Sequence, residues 1–139
     1  MKKNLFILLL LYFISLYTYA QTNNINISAT LNIETNELKI QQETTFYNKS
    51  DSILNVVYFH NWANAYKDKK TPLAKRFIEN YSKTFHFTNN KNRGNTTINN
   101  ISVNYDSTTW EITDENPDIL KVNLNQSLHP KDSVKITAT

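Results

Sequence analysis

The chain of 139 residues has no cysteine, one glycine and three prolines. Without cysteine there is no disulfide framework, no thiolate nucleophile and no cysteine-ligated zinc, so stability rests on burial. A single glycine, Gly94, excludes a glycine-rich phosphate-binding loop. No G-x-S-x-G occurs, so there is no nucleophile elbow. Neither sign of charge dominates: the formal net charge is +3. The basic residues are scattered and compose no basic face suited to nucleic acid. Scarce glycine beside abundant Asn, Lys, Ile, Thr and Tyr reads as a bias of the coding genome rather than as function.

Long hydrophobic runs are missing except at the start. In "MKKNLFILLLLYFISLYTYA", Lys2 and Lys3 precede an apolar run from Leu5 to Leu16, and Thr18-x-Ala20 supplies small residues for a signal peptidase. The run is shorter than the ~20 residues a membrane span needs, and polar "QTNN" follows at once. Residues 1–20 therefore read as a signal peptide cleaved after Ala20. That implies export to the periplasm, the cell surface or the medium, with no membrane span afterwards. Losing Lys2 and Lys3 lowers the net charge from +3 to +1. No cysteine follows the signal to carry a lipid. Residues 21–139 suffice for one domain with a modest core.

What remains alternates. In "INISATLNI", Ile25, Ile27, Ala29, Leu31 and Ile33 share one parity, which predicts a half-buried strand. "ETNE" is a turn in which Asn36 suits a positive φ. Leu38 to Tyr47 alternates again and completes an antiparallel hairpin. "NKSDS" is a second turn. Ile53 to Phe59 is apolar throughout except for Asn55 and predicts a strand covered on both faces. Further short strands fall at Ile98–Tyr105, Thr108–Ile112, Ile119–Leu124 and Val134–Ala138. Between them Thr71 predicts an N-cap and Pro72 a first helical residue. Leu73, Phe77 and Tyr81, beside Ala74 and Ile78, make one apolar stripe over about 72–83. Glu79 and Lys83 are spaced as an i,i+4 ion pair. Phe85 and Phe87 read as a short extended piece. The fold class is thus mainly β: an antiparallel β-sandwich or saddle of about seven or more strands with one inserted short helix. The last strand runs to Thr139 without turn or cap, which suggests a domain incomplete at its C-terminal side.

Chemistry is sparse. His60, His86 and His129 stand at no zinc-ligand spacing, and H-E-x-x-H is absent. Most of the acids lie in turns or on polar strand faces, and no pair of carboxylates is singled out for general acid–base work. The sequons, such as Asn26-Ile27-Ser28 and Asn95-Thr96-Thr97, are expected by chance in so Asn-rich a chain. The densest cluster is "VVYFHNWANAYKDKK", from Val56. There Trp62 and Tyr66 can cover a sheet edge, while Asn61 and Asn64 tie down loop amides. The same four residues could instead form a contact patch, since rigid aromatics beside amides suit recognition.

The stretches "LNVVYFHNWANAYKDKKTPLAKRFIENYSKTFHF", "RGNTTINNISVNY" and "NPDILKVNLNQSLHPKDSVKITAT" resemble the amino-terminal domain of M1-family (gluzincin) aminopeptidases, in the exported form found in Bacteroidota. The residues matching its N-W-x-N-A-Y and K-x-T-P-L-A-K-R-F segments are Asn61, Trp62, Asn64, Ala65, Tyr66, Thr71, Pro72, Leu73, Ala74, Lys75, Arg76 and Phe77. The resemblance covers residues 21–139. It implies a saddle-like β-domain at the front of a multidomain zinc metallopeptidase, non-catalytic alone, walling the cleft of its own catalytic domain. Peptide substrate would then be met only through that parent. The family's zinc motif H-E-x-x-H and amine-binding motif G-x-M-E-N belong to the following domain, and neither is present. No catalytic, cofactor-binding or metal-ligating residue is assigned in this segment, and zinc is expected only in the parent. The alternative is a free-standing exported β-sandwich module that binds peptide or glycan through Trp62 and Tyr66.

Overall fold

The computed structural model describes residues 22–139. The signal-peptide assignment of residues 1–20 lies outside them. Eight antiparallel strands occur among the described residues: β1 (Asn24–Asn32), β2 (Glu37–Tyr47), β3 (Leu54–His60), β4 (Ile101–Val103), β5 (Asp106–Ser107), β6 (Trp110–Glu111), β7 (Ile119–Leu128) and β8 (Ser133–Ala138). They form a five-stranded sheet in the order β1-β2-β8-β4-β5 and a three-stranded sheet in the order β3-β7-β6. The expected mainly-β antiparallel fold is what the chain adopts.

The hairpin of β1 and β2 has the register expected, with Ala29 opposite Ile40 and Leu31 opposite Leu38. Its turn is closed by the Asn32 Oδ1, which accepts from the Glu34 and Thr35 amides at 3.0 and 3.3 Å. Asn36 takes a positive φ of 56°, as its short side chain allows. Another tight turn joins β4 to β5. Its two residues, Asn104 and Tyr105, both have positive φ (50° and 73°) and Val103 pairs with Asp106, the geometry of a type I′ hairpin.

The core lies where the two sheets face each other. The three-stranded sheet supplies Val57, Leu120 and Val122, and the five-stranded sheet supplies Ile101, Val103, Val134 and Ile136. Phe46, Leu54, Phe59 and Trp110 pack around them. Two expectations about burial fail here. β1 is exposed along its whole length instead of half-buried. The apolar run into β3 is covered on one face only, because Val57 is buried while Tyr58 stays outside. The two failures have separate causes: the three-stranded sheet is narrower than its neighbour and does not reach the edge strand β1, and Tyr58 lies on the face of its own sheet opposite the core.

The helix α1 spans Pro72–Glu79, shorter than the stripe suggested. It closes with a Schellman motif: Ser82 N–H donates to the Phe77 carbonyl (2.8 Å) and Tyr81 N–H to the Ile78 carbonyl (2.9 Å). Tyr81 holds the left-handed position at φ 57° with its side chain 88% exposed. Lys83 therefore lies beyond the helix, and the expected Glu79–Lys83 pair is not among the ion pairs of the described residues. Phe85 and Phe87 belong to a one-turn helix, α2 (Thr84–Phe87), and not to an extended segment. Tyrosine gains no contact for the strain it carries at position 81. Tyr81→Gly should raise stability by about 1 kcal/mol, read as a higher urea midpoint with an unchanged m-value.

Candidate functional site

The corner after β3 is built from the backbone outward. Asn61 N–H donates to the Asp118 carbonyl (2.7 Å), which pins the exit of β3 to the start of β7. A 3-10 turn then runs from Trp62 to Tyr66. Asn64, 6% exposed, accepts the Thr96 N–H through its Oδ1 at 2.8 Å and so binds the long polar loop to the corner. Asn64 thus ties down a loop amide as expected. Asn61 does not: it is 8% exposed, its Nδ2 meets no acceptor, and its side chain does not cap the turn. Both asparagines are buried, so neither contributes to a contact surface.

Thr71 locks the turn to α1. Its buried hydroxyl donates to the Ala65 carbonyl at 2.6 Å and accepts the Ala74 N–H at 3.2 Å. Pro72 fills the first helical position, where no N–H is required. Thr71→Val keeps the shape of the side chain and leaves both backbone groups without a partner. A loss of about 2 kcal/mol in urea unfolding is expected.

The two aromatics part company. Tyr66 joins Phe77 and Phe85 in a cluster with ring centroids 5.5–6.3 Å apart. Arg93 closes that cluster: its guanidinium lies 5.0 Å from the Phe85 ring centre and donates to the Thr88 carbonyl (2.9 Å) and to Asn90 Oδ1 (3.0 Å). His86 ties the two helices together, its Nε2–H donating to the Ala74 carbonyl at 3.0 Å. Trp62, in contrast, is 63% exposed and stacks on His60, with centroids 5.2 Å apart and planes 19° from parallel.

His60 also lines an open cleft of about 460 Å³ on the outer face of the three-stranded sheet. Its floor follows from strand register. Tyr58 lies opposite Lys121, and Lys121 opposite Glu111, while His60 lies opposite Ile119. Lys121 Nζ and Glu111 Oε2 are 3.3 Å apart. Thr113 and Asn116, from the turn between β6 and β7, add polar walls. Sequence reasoning passed over Tyr58, Lys121 and Glu111. The signal was alternation: Tyr58 falls between Val57 and Phe59, hence on the opposite face from both.

No group of three or more His, Cys, Asp or Glu side chains able to hold a metal occurs among the described residues. No helix among them is long and apolar enough to cross a membrane. Compared with protein-family models, curated proteins and solved structures, the chain matches none.

Proposed function

We propose that the chain is the amino-terminal packing domain of an exported M1-family zinc metallopeptidase, without catalytic residues of its own, which docks on the catalytic domain and helps to wall its cleft. Besides the sequence resemblance, two observations support this reading. The core-facing side of the five-stranded sheet continues past the core. Thr44 and Ile136 are buried on that side, and along the same parity of the hairpin Ile25, Ile27, Leu31, Leu38 and Ile40 are 43–62% exposed. A contiguous apolar face of this kind marks a surface that another protein element covers. β1 is also a sheet edge of nine residues with no charge and no proline, none of the devices by which a free edge avoids pairing.

The zinc expected of such a peptidase would sit in the parent's next domain, because the described residues offer it no ligand set. This chain would contribute shape and packing, and peptide substrate would reach it only at the cleft wall. The test is to sequence the gene past codon 139. An open frame leading to G-x-M-E-N and H-E-x-x-H is the expected result, and a stop codon directly after Thr139 overturns the reading. Expressed alone, the chain should bind a hydrophobic dye such as ANS. Paired Ile27→Lys and Leu31→Lys substitutions should reduce that signal while leaving the melting temperature nearly unchanged.

A further inference from the structure

The geometry points to a binding site for an uncharged oligosaccharide on the outer face of the three-stranded sheet, centred on Tyr58 and Trp62. This inference is independent of the peptidase reading, since the site lies on the opposite face of that sheet from the core. Three features carry it. The cleft, about 460 Å³, is large enough for a small ligand. Of the aromatics lining it, Tyr58 is set outward, 64% exposed, and Trp62, 63% exposed, stands beside the cleft on the back of the lining His60, on which it stacks. An exposed tryptophan is uncommon, because burial of its large ring is strongly favourable. The ionic groups lining the cleft, Lys121 and Glu111, are paired with each other at 3.3 Å, so the floor presents hydrogen-bonding atoms with little net charge.

A sugar ring suits that lining. Its C–H face is apolar and flat enough to lie on an exposed tyrosine or indole, and its hydroxyls both donate and accept. Glu111 and Lys121 would meet those hydroxyls from the floor, and Asn116 from the wall. The β-strand backbone below makes the platform rigid, so little ordering entropy opposes binding. A phosphorylated or sulfated ligand is disfavoured, because the one lysine of the lining is already engaged by a carboxylate. A greasy ligand is disfavoured too, because the cleft is open and Glu111, Thr113, Asn116 and Lys121 line it.

The site is tested by titrating the full chain with cellohexaose, maltohexaose, mannohexaose and xylohexaose, following the heat of binding in every variant and tryptophan emission in the chains that keep Trp62. At least one should give a saturable change, because Trp62 is solvent-exposed. Trp62→Ala and Tyr58→Ala should each weaken that binding roughly tenfold or more, and Trp62→Phe should restore most of it. Both side chains are exposed, so each variant should keep the wild-type melting curve. No saturable change with any of the four at millimolar concentration overturns the proposal. So does binding that survives both alanine variants. An extended Thr-Val repeat peptide or a sulfated hexasaccharide binding more tightly than every neutral sugar also overturns it, the peptide result pointing instead to strand addition at the free edge of β3.

Discussion

Asn48→Leu is expected to destabilise the chain by about 3–4 kcal/mol. Asn48 is 1% exposed and every polar atom of its side chain is used. Its Nδ2 donates to the Ser52 carbonyl (2.8 Å) and to the Leu128 carbonyl (3.1 Å). Its Oδ1 accepts from the Ser50 N–H (3.0 Å) and the Ser50 hydroxyl (2.7 Å). Its backbone adds two more bonds, donating to the Asp132 carbonyl and accepting from the Lys131 N–H, both at 2.9 Å. One side chain thus joins the end of β2, the turn into β3, and the end of β7. Leucine fills similar space but takes the Asn48 partner from the buried Leu128 carbonyl and from the partly buried Ser50 N–H, while the Ser52 carbonyl keeps only the Ser50 hydroxyl at 3.2 Å; each buried orphan costs about 1–3 kcal/mol. Asn48→Asp keeps the acceptor and loses both donors, so it should be no better than leucine near neutral pH. Urea unfolding reads both. A loss below about 1 kcal/mol in the leucine variant would show that the network is dispensable.

Ile101→Ala should cost a similar amount, about 3–4 kcal/mol. Ile101 is 1% exposed and stands at the head of β4, opposite Ala138 of β8. β4 has three residues, and only Ile101 and Val103 reach the core from it. Truncation removes half of the apolar anchorage of that strand and leaves a cavity between the sheets, which cannot collapse without moving β8. Ile27→Ala supplies the control. It deletes the same atoms from β1, where Ile27 is exposed, and should change the stability of the chain by no more than about 0.5 kcal/mol. Equal losses at the two positions would mean that the hairpin face is covered in the folded chain, against the basis of the proposed docking role.

Comparing these two isoleucines shows what the sequence can and cannot convey. Alternation reports which residues share a face, and on that it is reliable: the β1–β2 hairpin, its Asn36 turn and the parity of β7 and β8 all have the pattern expected. It does not report whether the face is covered: Ile27 sits in the more regular apolar alternation and is exposed, while Ile101 sits in a weaker one and is buried. Coverage depends on the width of the opposing sheet, a property of pairing between distant strands. The Thr71–Pro72 start of α1 was legible because capping chemistry is local. The end was not, because the apolar stripe runs on through Tyr81 while the backbone reverses there with a residue poorly suited to a left-handed turn. At the corner, Trp62 could have packed inward as easily as it stacks outward on His60. Asn61 and Asn64 have the same chemistry, and only the approach of the Thr96 amide separates their roles. Asn48 looked like one more turn residue among "NKSDS", since its partners at Leu128 and Asp132 lie about eighty positions away in the chain.

The order of strands in the larger sheet has a consequence for synthesis. β8 lies between β2 and β4, and these two hydrogen-bond to it and not to each other. It also leaves the ribosome after the other seven described strands. Until residues 133–138 have emerged, the β1–β2 hairpin and the β4–β5 hairpin are separate pieces with no shared ladder. Loop closure across most of the chain must then precede the contacts that reward it, which makes assembly slow and dependent on non-local encounters. The larger sheet therefore cannot be completed during translation until residues 133–138 have been made.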